Sequence, residues 1–206
     1  FILRTVMIYH ENMKEFKRLP NLEYRSREYL TPKEVRSLLK AAQNYGRNRV
    51  RNYALVLLMF RHGLRLSEAI NLRWDAISFA DREIFVQRLK GSDSSVHPLV
   101  DDEIEALEEL RALEDDDVYV FIGERGQRLT SASVQRLITR LGKKAKLTVK
   151  VHPHQLRHAC GYFLINKGES TRAVQDFLGH RNIMHTERYT KYNANRFRNI
   201  DWSFEE

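Results

Sequence analysis

The chain has 206 residues, one cysteine and a formal net charge of +8, enough for one large domain and far more than a disulfide-stapled miniprotein requires. Its longest apolar run, YALVLLMF at 53–60, is well short of the ~20 residues of a membrane span, and FILRTVMIY at the start is broken by Arg4 and reads poorly as a secretory leader. Residues 101–117 hold ten acidic side chains and one basic one, so the remainder of the chain carries +17, a balance suited to a polyanion such as nucleic acid or an anionic membrane face.

Residues 1–30 are basic with scattered aromatics and read as an arm or the remnant of a longer N-terminal region. TPKEVRSLLKAA then predicts a helix over 31–44: Thr31 caps it, Pro32 suits its first turn, Glu34 completes a capping box and Val35, Leu38, Leu39 and Ala42 make the stripe. A more buried helix is expected at 50–61, ending near His62-Gly63, and a short one from Ser67-Glu68 to about Leu72. Ile77 with Phe79, Ile84 to Val86 and Val96 to Val100 read as three short strands of an antiparallel meander, turning at Asp81-Arg82 and at GSDSS. DDEIEALEELRAL begins another helix at Asp101, whose first-turn acids complement the helix dipole and are expected to form a solvated face. VYVFI at 118–122 reads as a short strand or a buried connector. Further helices are expected at about 131–144, 154–167, 171–178 and 185–192. The fold class is therefore mainly α with one small antiparallel β-sheet. The single Cys160 has no partner in the chain and suits a reducing cytosol.

Four clusters carry chemistry. In GLRLSE (63–68), Arg65 stands between a glycine turn and a helix start, where free N–H groups favour anions. In RLKGSDSSVHPL (88–99), Lys90 lies at the edge of a hairpin turn. In HPHQLRH (152–158), His154, Arg157 and His158 share one helix face. The His154/His158 spacing also suits a metal pair, but the HExxH glutamate is missing and an arginine lies between them. In FLGHRNIMHTERYTKY (177–192), His180 follows a helix-ending glycine and Tyr189 sits in a polar setting. Read singly, each cluster is also what an ordinary surface or helix end would show. Read together they suit attack of a phenol on a phosphodiester. Tyrosine, with a pKa near ~10, needs a base or surrounding cations; arginine holds two phosphoryl oxygens through its planar fork; lysine protonates a departing alkoxide; fixed cations do this without a metal.

GLRLSE, RLKGSDSSVHPL, HPHQLRH, LGHRNIMHT and ERYT, in that order over 63–190, resemble the tyrosine recombinase (phage integrase) family. The short N-terminal part, HPHQLRHACG, and LGHRNIMHTERYT followed by NANRF resemble its bacterial fimbrial phase-switch members, which invert a promoter segment between short inverted repeats. The resemblance implies a catalytic domain over 31–192 in which Arg65 and Arg157 clamp the scissile phosphate and Lys90 protonates the leaving 5′ oxygen. His154 acts as base or hydrogen-bond partner, His180 orients the phosphate, and Tyr189 forms a 3′-phosphotyrosine. Tyr192 is a rival nucleophile. The resemblance also implies a homotetramer on double-stranded DNA with inverted-repeat sites, DNA-bending accessory proteins, no cofactor, no membrane, and a bacterial, cytoplasmic, nucleoid-associated setting. Phe197, Ile200 and Phe204 fall on one helical stripe, and a tail over 193–206 of this kind docks on a neighbouring protomer or on its own core. The family's separate domain ahead of the catalytic one is not matched by the thirty or so residues here. A type IB topoisomerase, a DNA-binding regulator without catalysis, and a metal hydrolase are the alternatives.

Overall fold

Thr31 and Glu34 close the first helix as their spacing demands. The Thr31 N–H donates to Glu34 at 2.8 Å and the Glu34 N–H to the Thr31 hydroxyl at 3.3 Å, so two otherwise unpaired donors at the helix start are satisfied. In the computed structural model, which describes residues 28–88, 93–113 and 117–191, this helix is α1 (Pro32–Asn44). It is followed by α2 (Arg49–Arg61), α3 (Leu66–Ile70), a 3₁₀ turn (Trp74–Ala76), β1 (Ile77–Ser78), β2 (Glu83–Val86), β3 (Ser95–Pro98) and α4 (Asp101–Leu113). Then come α5 (Ser131–Lys144), α6 (Pro153–Asn166), α7 (Thr171–Leu178) and α8 (Met184–Lys191). Each expected helix is present within one or two residues of its expected bounds. Residues 1–27, Lys90 and its loop, Tyr192, and the stripe of Phe197, Ile200 and Phe204 lie outside the described residues.

The three strands form one antiparallel sheet in the order β1-β2-β3, with Ile77 opposite Ile84, Ile84 opposite His97 and Phe85 opposite Val96. Alternation along the strands buries Ile84, Val86 and His97 and leaves Phe85 and Val96 exposed. Arg82 turns the first hairpin at φ 58°. The 118–122 segment is the buried connector of the two expected alternatives: Val120 and Phe121 are fully buried, and among the described residues its strand-like pairing is confined to the isolated bridges Arg73–Tyr119 and Ile122–Arg128.

Of the acids in the first turn of α4, Asp101 and Asp102 keep the expected contact with solvent, whereas Glu103 departs from it. Asp101 pairs with Arg82, Asp102 with Arg61, and Glu103 is buried with an oxygen 3.0 Å from His62. Helical spacing puts Glu103 on the same side as Ile104, Ala106 and Leu107, all buried, and the side chains it meets, Arg61 and His62, come from α2 and the residue after it, remote in the chain.

Two helices carry the architecture. α2 packs against α1, α4 and α6 and buries Asn52 and all of Ala54 to Met59. α6 is an axle between two apolar clusters. Leu156 and Ala159 join the main core, whereas Cys160, Tyr162 and Ile165 join a smaller one with Val174, Leu178 and Tyr189. From Gln155 to Tyr162 apolar and polar residues alike are therefore buried, the pattern of a helix segment enclosed on all sides. The first described residues reach both clusters: Glu28 pairs with Arg188, Tyr29 stacks on Tyr162 of the smaller one with ring centroids 3.7 Å apart, and Leu30 is buried in the main core.

Candidate active site

The site is built from the bottom of a cluster of guanidinium groups. Arg157, in the second turn of α6, is 1% exposed. It donates to the Gly63 carbonyl at 2.6 Å and the Leu178 carbonyl at 2.5 Å. Gly63 takes φ 56°, a left-handed conformation that costs glycine little and here lets a main-chain oxygen accept from Arg157. Arg88, just past the end of β2, is also buried. It donates to the carbonyls of His62 (3.1 Å) and Phe177 (2.7 Å) and to Glu68 (2.6 Å). Arg65 caps α3; its N–H and its guanidinium both donate to Glu68, at 2.8 and 2.6 Å, while its side chain stays 31% exposed.

Glu68 is the hub of these contacts. It meets Arg65, Arg88 and, at 4.0 Å, Arg157. Burial works to raise its pKa, but Arg88, the two Arg65 donors and Arg157 outweigh burial and hold the carboxyl below its ordinary 4.5. Burial, then the nearness of Arg65 and Arg88, brings Arg157 down to about 9, so it stays cationic at neutral pH. Three guanidiniums against one carboxylate leave a net excess of positive charge in a largely desolvated floor, where it acts more strongly than in water.

Histidines and the tyrosine rise from this floor. His154 is exposed in the first turn of α6, one turn before His158, and the two rings meet edge-on at 4.3 Å. His180, between α7 and α8, is fixed by Thr186, whose hydroxyl lies 2.8 Å from Nδ1, and by Gln175, which donates to its carbonyl at 2.8 Å. Burial and then Arg157 and Arg65 push His180 down to about 3, so it is neutral at physiological pH. Tyr189, on α8, is 1% exposed, and its hydroxyl lies 3.0 Å from His158 Nδ1. Its ring lies against the α6 backbone at Gly161, where an added Cβ would come within 2.7 Å of Cδ2 and 2.8 Å of Cζ. Burial raises the phenol to about 12, against the lowering pull of Arg157 and Arg188.

Beside the histidines a groove of about 1190 Å³ opens between α5 and the start of α6, lined by Arg136, Thr139, Arg140, Lys143, Lys150 and His154 among others. The four cations are exposed and make no ion pair among the described residues. Five of the six expected site residues, Arg65, His154, Arg157, His180 and Tyr189, thus gather around α6; Lys90 lies outside the described residues.

Residues 28–196 match the model of the phage integrase family. The chain belongs to that family. It is 44% identical over 178 residues to the type 1 fimbriae regulatory protein FimE of Escherichia coli K12, covering 83% of this chain and 89% of FimE. To the type 1 fimbriae regulatory protein FimB of the same strain it is 42% identical over 181 residues, covering 85% and 90%. Among solved structures, the XerA recombinase superposes with a TM-score of 0.73 at 30% identity, over 82% of this chain and 62% of XerA. The chain is a tyrosine recombinase by family, on the mainly helical fold with a small sheet that the resemblance implied.

Within this recombinase, three residues at the site have no part in the reaction as read from the sequence. Glu68 reads there as part of a short helix start, although a carboxylate three residues after Arg65 also signals a local ion pair. Arg88 stands two residues before Lys90 in the same motif, and only the fold shows it buried. His158 shares the face of His154 and Arg157 without a task of its own; its partner is 31 residues away, beyond any local pattern.

Proposed function

We propose that this recombinase cuts and rejoins DNA through a 3′-phosphotyrosine on Tyr189, inverting a segment between inverted repeats, as the likeness to FimE and FimB suggests. The observation that carries the reading is the convergence on α6: Arg157 grouped with Arg65 and Arg88, and the Tyr189 hydroxyl at His158, the next residue of the helix. Arg65 and Arg157 hold the non-bridging oxygens of the scissile phosphate, and the excess positive charge of the cluster answers the negative charge that gathers as a fifth oxygen bonds phosphorus. His154, exposed beside the groove, and His180, neutral and oriented by Thr186, donate hydrogen bonds to the same oxygens. Lys90 protonates the departing 5′ oxygen. The bond energy of the cut phosphodiester is kept in the tyrosyl ester, so rejoining draws on no nucleotide. The α5 groove holds the DNA backbone by its exposed cations. Residues 31–192 form the catalytic domain. The segment before it is an arm or the remnant of a longer N-terminal region, and the tail over 193–206 docks on a neighbour within a tetramer on paired sites. DNA-bending proteins assist the pairing.

The test is to map covalent ends. Protein incubated with fragmented genomic DNA is denatured, and the DNA linked to it is sequenced. Linkage to 3′ ends at one repeated sequence, lost in Tyr189→Phe with DNA binding kept, is the expected result. Attachment that persists in Tyr189→Phe defeats the assignment, and relaxation of supercoiled DNA lacking that sequence would point to a topoisomerase instead.

A further inference from the structure

The phenol of Tyr189 has to lose a proton as its oxygen bonds phosphorus, and its surroundings limit where that proton goes. The residue is 1% exposed, so bulk water is not at hand to take it. Among the described residues, the hydrogen-bond partner of its oxygen is His158 Nδ1, at 3.0 Å. The histidine expected to act as base, His154, has its ring edge-on to that of His158, 4.3 Å away between centroids. The His180 ring centroid is 6.2 Å from that of Tyr189, and its Nδ1 is engaged by Thr186.

We propose that His158 is a further catalytic residue of this recombinase, the one that accepts the Tyr189 proton. The proposal rests on the cleavage reading above. With its ring proton on Nε2, His158 presents the Nδ1 lone pair to the phenol. The O–H bond breaks as the oxygen bonds phosphorus and the proton passes to Nδ1. The P–O5′ bond breaks and the departing oxygen takes a proton from Lys90. Rejoining runs backwards: the imidazolium returns its proton to the phenol oxygen as the O–P bond opens.

The surroundings fit this timing. Burial first, then His154, Arg188, Arg157 and His152, holds His158 at about 2, so its lone pair is vacant at neutral pH. Those groups face it from α6, from the residue before α6 and from α8, and Glu28 pairs with Arg188 behind them. Such an imidazole takes a proton only while new negative charge is forming next to it, so transfer accompanies O–P bond formation and does not precede it. The close seat of the ring on Gly161 keeps the donor and the acceptor aligned.

The test uses the full chain on the mapped site, in ordinary DNA and in DNA whose scissile 5′ bridging oxygen is replaced by sulfur, a leaving group that needs no proton. Single-turnover adduct formation is read on denaturing gels. On ordinary DNA, His158→Leu is expected to slow cleavage by about 100-fold or more, within the usual reach of general-base catalysis, while affinity for DNA changes less than about 2-fold. His158→Asn, which keeps an acceptor but binds no proton, is expected to slow it comparably. Sulfur substitution restores Lys90→Ala and leaves both His158 variants slow. Between about pH 6 and 9 the variants gain rate with hydroxide more steeply than wild type, as expected when solvent replaces a lost internal base. Wild-type rate in His158→Asn, or rescue of the His158 variants by sulfur, overturns the proposal; if the Leu variant does not fold, the Asn variant decides alone. A wild-type protein that forms no adduct on either DNA would sink the cleavage reading itself, and the role of His158 with it.

Discussion

Arg157 and Arg88 on one side of the site, and Arg136 and Arg140 on the other, are the same side chain put to opposite uses. The first pair is buried and directs its donors to main-chain carbonyls of His62, Gly63, Phe177 and Leu178. The second pair stands on the exposed wall of the α5 groove without an ion pair among the described residues. A guanidinium locked by two carbonyls cannot follow a moving ligand, so it suits a transition state whose position is fixed. One at the end of a free side chain suits a polyanion that arrives in many registers, and gives affinity that salt erodes.

The sharpest way to break this contrast is Arg157→Lys. The ammonium keeps the charge but not the planar fork; we expect adduct formation to fall by about 100-fold or more and stability by about 1–3 kcal/mol, from a carbonyl left without a donor. Wild-type stability and an intact cleavage rate in that variant would show the buried pair to be ordinary charge. Glu68→Gln tests the hub. Removing one partner of a buried ionic cluster is expected to cost on the order of 3 kcal/mol, seen in denaturant midpoints.

Acid titration of the wild type sharpens the same point. Glu68 is depressed below 4.5 when folded, so its contribution is present above the unfolded value and is lost as pH falls through the lower folded value. Stability should therefore drop on acidification below about 4.5, and Glu68→Gln should flatten part of that drop. The smallest effect on the folded protein belongs to Arg136→Ala and Arg140→Ala. Their stability should stay within about 0.5 kcal/mol of wild type. Their DNA affinity should weaken, with a salt slope shallower by about one for each phosphate that the wall no longer neutralises. A change in cleavage at saturating DNA would mean that the wall takes part in the chemistry.

Much of this was legible in the chain. Capping pairs, apolar stripes and the glycine turns located the helices, because those signals act over three or four residues. The order of the motifs also named a candidate set, and five of its six residues, Arg65, His154, Arg157, His180 and Tyr189, lie together around α6. What local spacing did not reveal was how each group is held. Glu68 meets Arg88 and Arg157, 20 and 89 positions further along, and Glu103 is drawn inward by Arg61 and His62, so a carboxylate that looks solvated in the sequence becomes a buried partner. His158 was visible as a neighbour of Arg157, but its contact with Tyr189 depends on α8 folding back along α6.

The pairing of Glu28 with Arg188 and of Tyr29 with Tyr162 joins the start of the described chain to the helix that ends it. Residues 28 and 29 thus brace α8, the helix that carries Tyr189, so the seat of that phenol depends on contacts some 160 positions earlier in the chain.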